Sequence, residues 1–110
     1  MIIDWLPASI QDRFDQLDYI AEDNPTAAAD QDDEIERQVN ILHDHPKMGR
    51  PGRVKGTREL VISSTPFVLV YRLKGSQRIE VLRLLHGSQL WPAARRQALL
   101  TPGWTRPEVR

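Results

Sequence analysis

The chain has 110 residues, of which 40% are apolar and 27% charged, and it has no cysteine. One modest hydrophobic core is all that length supports, and disulfides and thiol chemistry are excluded. A metal site would have to be built from histidines and carboxylates. No basic-then-apolar leader opens the sequence, and no apolar run approaches the ~20 residues of a membrane span, so the expected location is the cytoplasm. The net charge is zero, but the charges are segregated. Residues 1–44 carry twelve acids against Arg13 and Arg37, a net −10, and residues 45–110 carry thirteen bases against three acids, a net +10. Such halves describe either a two-faced molecule, whose basic side meets nucleic acid or an acidic protein, or two halves that neutralise each other across one fold.

Residues 2–6 are apolar and β-branched and end at Pro7, a pattern for a short first strand. Ser9 is placed to cap a helix over 8–23, with Asp12 in its first turn. Ile10, Phe14, Leu17 and Ala21 recur at helical spacing and predict its buried stripe. Asn24-Pro25 is a helix start, Asn as cap and Pro at the first helical position. A second helix follows from Pro25 to about Asp44, with Ala28, Ile35, Val39 and Leu42 on its inner face. His45-Pro46 stops it. So short a joint predicts an antiparallel helix hairpin.

Residues 46–57 form a loop rich in glycine, proline and basic residues. Three β-rich runs follow, at 58–63, 66–73 and 78–86, with short connectors, which predicts an antiparallel meander. After Trp91-Pro92, residues 93–100 can form a short basic helix, and 101–110 read as a loose tail. The expected architecture is α+β, one sheet with its helices on one face and the other face open to a partner.

Several residues have side chains suited to chemistry or binding. Lys47, Arg50, Arg53, Lys55 and Arg58 fall within twelve residues without an acid among them, and Gly49, Gly52 and Gly56 allow a ligand close to the backbone. The loop can hold phosphates or a carboxylate-rich peptide, or be a solvated surface. Arg72 and Arg83 interrupt apolar strands and need either partners, such as Glu59 or Glu80, or a functional face. His86 ends the last strand, where an imidazole can take a proton from a ribose 2′-hydroxyl or simply bond the following turn. Ser88 and Gln89 can add polar contacts. His43 and His45 point to different sides of a helix, a poor metal spacing. Trp5 suits the core; Trp91 and Trp104 suit stacking, partner anchoring or packing.

The ordered set Ile3-Asp-Trp-Leu-Pro-Ala8, Tyr19-Ile20, Asn24-Pro25, Ala27-Ala28, Leu42, Pro46, Gly49-Arg-Pro-Gly-Arg53, Gly56-Thr-Arg-Glu-Leu-Val61, Val70-Tyr-Arg72, Ile79-Glu-Val-Leu-Arg83 and Leu85-His-Gly87 resembles the RelE/ParE superfamily of toxins. The likeness covers residues 1 to about 92 and leaves 93–110 as a basic tail outside it. It implies a RelE/ParE-like fold, a twisted antiparallel sheet packed against an N-terminal helix hairpin. It also implies a co-expressed antitoxin through which alone operator DNA is met, and neither a metal nor another cofactor. Two mechanisms stay open under it. A ParE-like member inhibits DNA gyrase; a RelE-like member cuts mRNA on the ribosome, and His86, Arg83 and Arg72 would then be the catalytic set. An inactive relative that only binds the antitoxin is a third reading. Val68 stands where the nucleases carry an arginine, and Tyr71-Arg72 with Ile79-Glu80-Val81 looks more like ParE members. On any of these readings Lys47, Arg50, Arg53, Lys55, Arg58 and Trp91 are the candidate nucleic-acid or antitoxin contacts.

Overall fold

A computed structural model describes residues 1–87. Trp91, Trp104, Ser88, Gln89, the segment 93–100 and the boundary at residue 92 lie outside the described residues. The elements run β1 (Ile2–Trp5), α1 (Pro7–Asp23), α2 (Pro25–Ile41), β2 (Arg50–Pro51), β3 (Arg58–Val61), β4 (Phe67–Lys74) and β5 (Arg78–His86). They build a five-stranded sheet in the order β1-β5-β4-β3-β2. The β3-β4-β5 meander is antiparallel as expected. The sheet as a whole is mixed, because β1 lies parallel to β5, with Ile3 beside Ile79 and Trp5 beside Val81. The intervening helix hairpin carries the chain back to the starting end of the sheet, so parallel pairing follows from the connection.

The helix hairpin turns at Asn24. Its side-chain oxygen accepts from the Ala27 amide at 3.0 Å, and Pro25 opens α2. Ile35, Val39 and Leu42 pack with Leu60, Ile62, Phe67, Leu69, Tyr71, Ile79, Val81 and Leu84 into one core between helices and sheet. Helix α2 ends at Ile41, three residues before the predicted Asp44, and a turn completes the segment. Two residues of the basic loop add the edge strand β2, which sequence patterning did not reveal.

Helix α1 departs most from expectation. It begins at Pro7 after Leu6, with no side-chain cap. Ser9 is instead buried inside the first turn, its hydroxyl donating to the Leu6 carbonyl at 2.7 Å. The face toward the core is Ser9, Arg13, Gln16, Leu17 and Ile20, while Ile10 is 45% and Phe14 62% exposed. The stripe at helical spacing is therefore rotated partly out of the core, because α1 docks through polar groups. Arg13 reaches Asp32 (2.6 Å) and Glu36 (3.1 Å) on α2 and stacks over the Trp5 ring at 4.8 Å.

A second polar pin joins α2 to the β3–β4 turn. The buried Gln38 donates to the Ser63 carbonyl (3.1 Å) and accepts from its amide (3.0 Å). This fixes a turn whose next residue, Ser64, sits at φ 65°. Gln38→Leu should leave both Ser63 groups without this partner and cost about 1–3 kcal/mol; urea unfolding against the wild type measures it.

Candidate functional site: the basic loop and the second sheet face

The loop between α2 and β3 is held from beneath by two buried side chains. Tyr71, fully buried on β4, donates its hydroxyl to the Pro46 carbonyl (2.8 Å) and accepts from the Gly49 amide (2.9 Å). Burial pushes the phenol upward, offset in part by the Gly49 amide and the Arg58 charge. Gly49 has no space for a side chain, since a Cβ there would meet the Tyr71 hydroxyl at 2.7 Å. A Cβ on Gly52 would collide with the Thr57 hydroxyl. Both glycines serve the loop's own packing, whereas Gly56, the third glycine of the loop, faces open space at φ +85°.

Glu59 is the second support. It is only 3% exposed, yet it holds Arg50 at 3.0 Å and the Arg53 amide at 3.1 Å, with the Arg53 guanidinium at 3.8 Å. Burial alone would raise its pKa, but the Arg53 amide and the Arg50 side chain outweigh that and hold the carboxyl below its ordinary value. Arg58 turns inward and donates to the carbonyls of Gly49 (2.6 Å) and Lys47 (3.3 Å). Of the five predicted loop cations, Lys47 and Lys55 are exposed without a described ion pair, Arg50 and Arg53 share Glu59, and Arg58 is a structural tie.

The sheet face away from the helices is reached through the register. Glu59, Val70 and Arg83 stand side by side across β3, β4 and β5, as do Arg72 and Glu80 across β4 and β5. Arg72 bonds Glu80 at 2.7 Å, and Arg78 pairs with Asp4. Arg83 is gripped by Asp12 of α1 through Nε (2.7 Å) and a terminal nitrogen (2.9 Å). Those bonds raise the Arg83 pKa further, against the effect of burial. The sequence offered Glu80 as a partner for Arg72; the Asp12–Arg83 pair, 71 residues apart, had no local signal.

The register also places His86. It lies across from Phe67, a residue of the core side, whereas Arg72 and Arg83 belong to the other face. A shift between Val70 and Tyr71 leaves Leu82 without a partner, so Arg83 lies on the face opposite Val81 although it is only two residues further along β5. Arg72 is five residues along β4 from Phe67, about 17 Å. The structure therefore does not bring His86, Arg72 and Arg83 together. His43 donates to the Met1 carbonyl at 2.9 Å, and among the described residues no group of three His, Asp or Glu side chains could hold a metal ion.

Two helices packed against a five-stranded mixed sheet fit the α+β fold of small toxin proteins of the RelE/ParE type. Residues 3–91 match the family model described as the ParE toxin of the type II toxin–antitoxin system parDE. The chain is 42% identical over 81 residues to Y4kP of Sinorhizobium fredii (strain NBRC 101917 / NGR234), a protein named as a toxin candidate, over 73% of this chain and 82% of that one. It is also similar to a solved chain of the chromosomal ParDE toxin–antitoxin system from P. aeruginosa, with a TM-score of 0.70 and 28% identity over 78% of this chain and 95% of that one. The chain belongs to the ParE toxin family of type II toxin–antitoxin systems. No described helix is long and apolar enough to cross a membrane.

Glu59 makes the loop sensitive to acid. Its folded pKa is depressed, so its stabilisation is complete above the ordinary glutamate range and is lost as pH falls through the folded value. Glu59→Gln should cost about 2 kcal/mol at pH 7 and flatten the acid limb of the stability profile; urea unfolding at neutral and acid pH measures both effects. Gly49→Ala should lower the melting temperature, read by circular dichroism, because the Tyr71 hydroxyl cannot move away without losing two hydrogen bonds.

Proposed function

We propose that this chain arrests growth by binding DNA gyrase, as a protein inhibitor rather than a hydrolase, and that its antitoxin covers the basic loop and the second sheet face. One observation carries the reading. The two arginines that would stabilise charge on a scissile phosphate are committed to carboxylates, Arg83 to Asp12 and Arg72 to Glu80, on the face away from His86. Phosphodiester cleavage needs cationic groups aimed at the same point as the base. Membership in the ParE family supports the same reading.

One observation favours ribosome-dependent mRNA cleavage as the alternative: His86 is exposed at the end of β5, where a general base could reach solvent-borne RNA. On the proposed function, inducing the chain alone should leave messages intact by primer extension while gyrase–DNA cleavage complexes accumulate, and His86→Ala should still arrest growth. Cuts within codons that vanish in His86→Ala and Arg83→Ala would decide for the nuclease. Truncation after Trp91 should reduce arrest, because Arg95, Arg96 and Trp104 follow the segment shared with the family.

The antitoxin segment over the loop should be acidic and amphipathic. Lys47, Lys55, Arg50 and Arg53 present positive charge there at high exposure. Affinity for that segment should fall as salt rises if rim charges contribute.

A further inference from the structure

The outer surface of α1 carries two neighbouring ridges of side chains four residues apart. One is Ile10-Phe14-Asp18-Glu22 and the other Gln11-Asp15-Tyr19-Asp23, and every member is exposed. Ile10, Phe14 and Tyr19 are 45%, 62% and 76% exposed. Asp18, Glu22 and Asp23 have no ion pair among the described residues, and Asp15 only accepts from Gln11 at 2.8 Å. The sole base of α1, Arg13, points away from this surface to Asp32 and Glu36. The surface is thus apolar and acidic at once, with no internal neutralisation.

From this pattern we infer that the outer face of α1 is a docking surface for an amphipathic helical segment of the antitoxin whose apolar stripe is flanked by lysine or arginine. The inference rests on the reading that an antitoxin binds this chain, and it assigns that antitoxin a second contact of opposite charge to the one over the basic loop. Apolar ridges take the knobs of a partner helix, and unpaired carboxylates alongside select cations. Nucleic acid is repelled by the same carboxylates. A two-fold contact between copies of this chain would bring together two faces that each carry Asp15, Asp18, Glu22 and Asp23, which like-charge repulsion opposes.

The test is a binding titration of the purified chain with its purified cognate antitoxin. Phe14→Lys should weaken binding about tenfold or more, as expected for an anchoring aromatic. The double variant Asp18→Lys, Glu22→Lys should also weaken it, with the loss shrinking at high salt. Both should melt at the wild-type temperature, since these side chains are outside the core. Wild-type affinity in both variants would overturn the assignment while leaving the antitoxin reading standing; no binding by the wild-type chain would remove both. Dimerisation of the wild-type chain in sedimentation, abolished by Phe14→Lys with antitoxin affinity unchanged, would give the face to a second copy. Purified gyrase binding the wild type but not Phe14→Lys, again with antitoxin affinity unchanged, would give it to the target; either result overturns the proposal.

Discussion

The edge of β5 is only half covered by a strand, and the structure depends on how the other half is satisfied. Strand β1 pairs with residues 78–81 and then gives way to α1. Beyond it, the Leu84 amide donates to the Asp12 carboxylate at 2.9 Å, and the Leu84 carbonyl accepts from Gln16 at 2.7 Å. Two side chains one helical turn apart thus replace the strand that is missing. An open edge would otherwise leave backbone groups bare and invite pairing with another chain. The same carboxylate grips Arg83, so helix docking, edge closure and the arginine's orientation are one arrangement.

That arrangement explains why α1 packs through its polar side. The helix must lie with Asp12 and Gln16 against β5, and Arg13 toward α2 and Trp5. Leu17 and Ile20 supply apolar contact from the same side, and Ile10 and Phe14 are carried outward. Opposite the helices, the sheet presents ion pairs in place of free cations. The basic loop follows a similar logic: Tyr71 and Glu59 fix its backbone, so its outward lysines project from a rigid base rather than a slack one.

Much of this was legible in the residues. Asn24-Pro25 marked the hairpin joint, and Ala28, Ile35, Val39 and Leu42 marked the inner face of α2, because a cap and an apolar period are local signals. The three-strand meander was likewise local. The parallel seat of β1 was not, since strand order depends on contacts across the whole chain. The buried face of α1 is not legible, because periodicity locates a stripe but not what faces the core, and side chains bonding a strand edge look hydrophilic in sequence. Candidate site residues were visible as residue types; their partners were not. Nothing near Arg83 in sequence signals Asp12, and an unpartnered Leu82 cannot be foreseen from alternation alone.

The long reach of the ties between the N-terminal segment and β5 has a consequence for the order of events during synthesis. Asp4–Arg78, Asp12–Arg83 and Asp12–Leu84 span 74, 71 and 72 residues. Helix hairpin and meander are each built from nearby contacts and can form as they emerge, but β1 has no strand to join until residue 78 has been made. Non-local closures of this kind slow folding and come late. The ribosome therefore carries a chain whose first strand and first helix are still unseated for most of translation. The surface that a partner would recognise as a whole is completed only when the last strand closes the sheet.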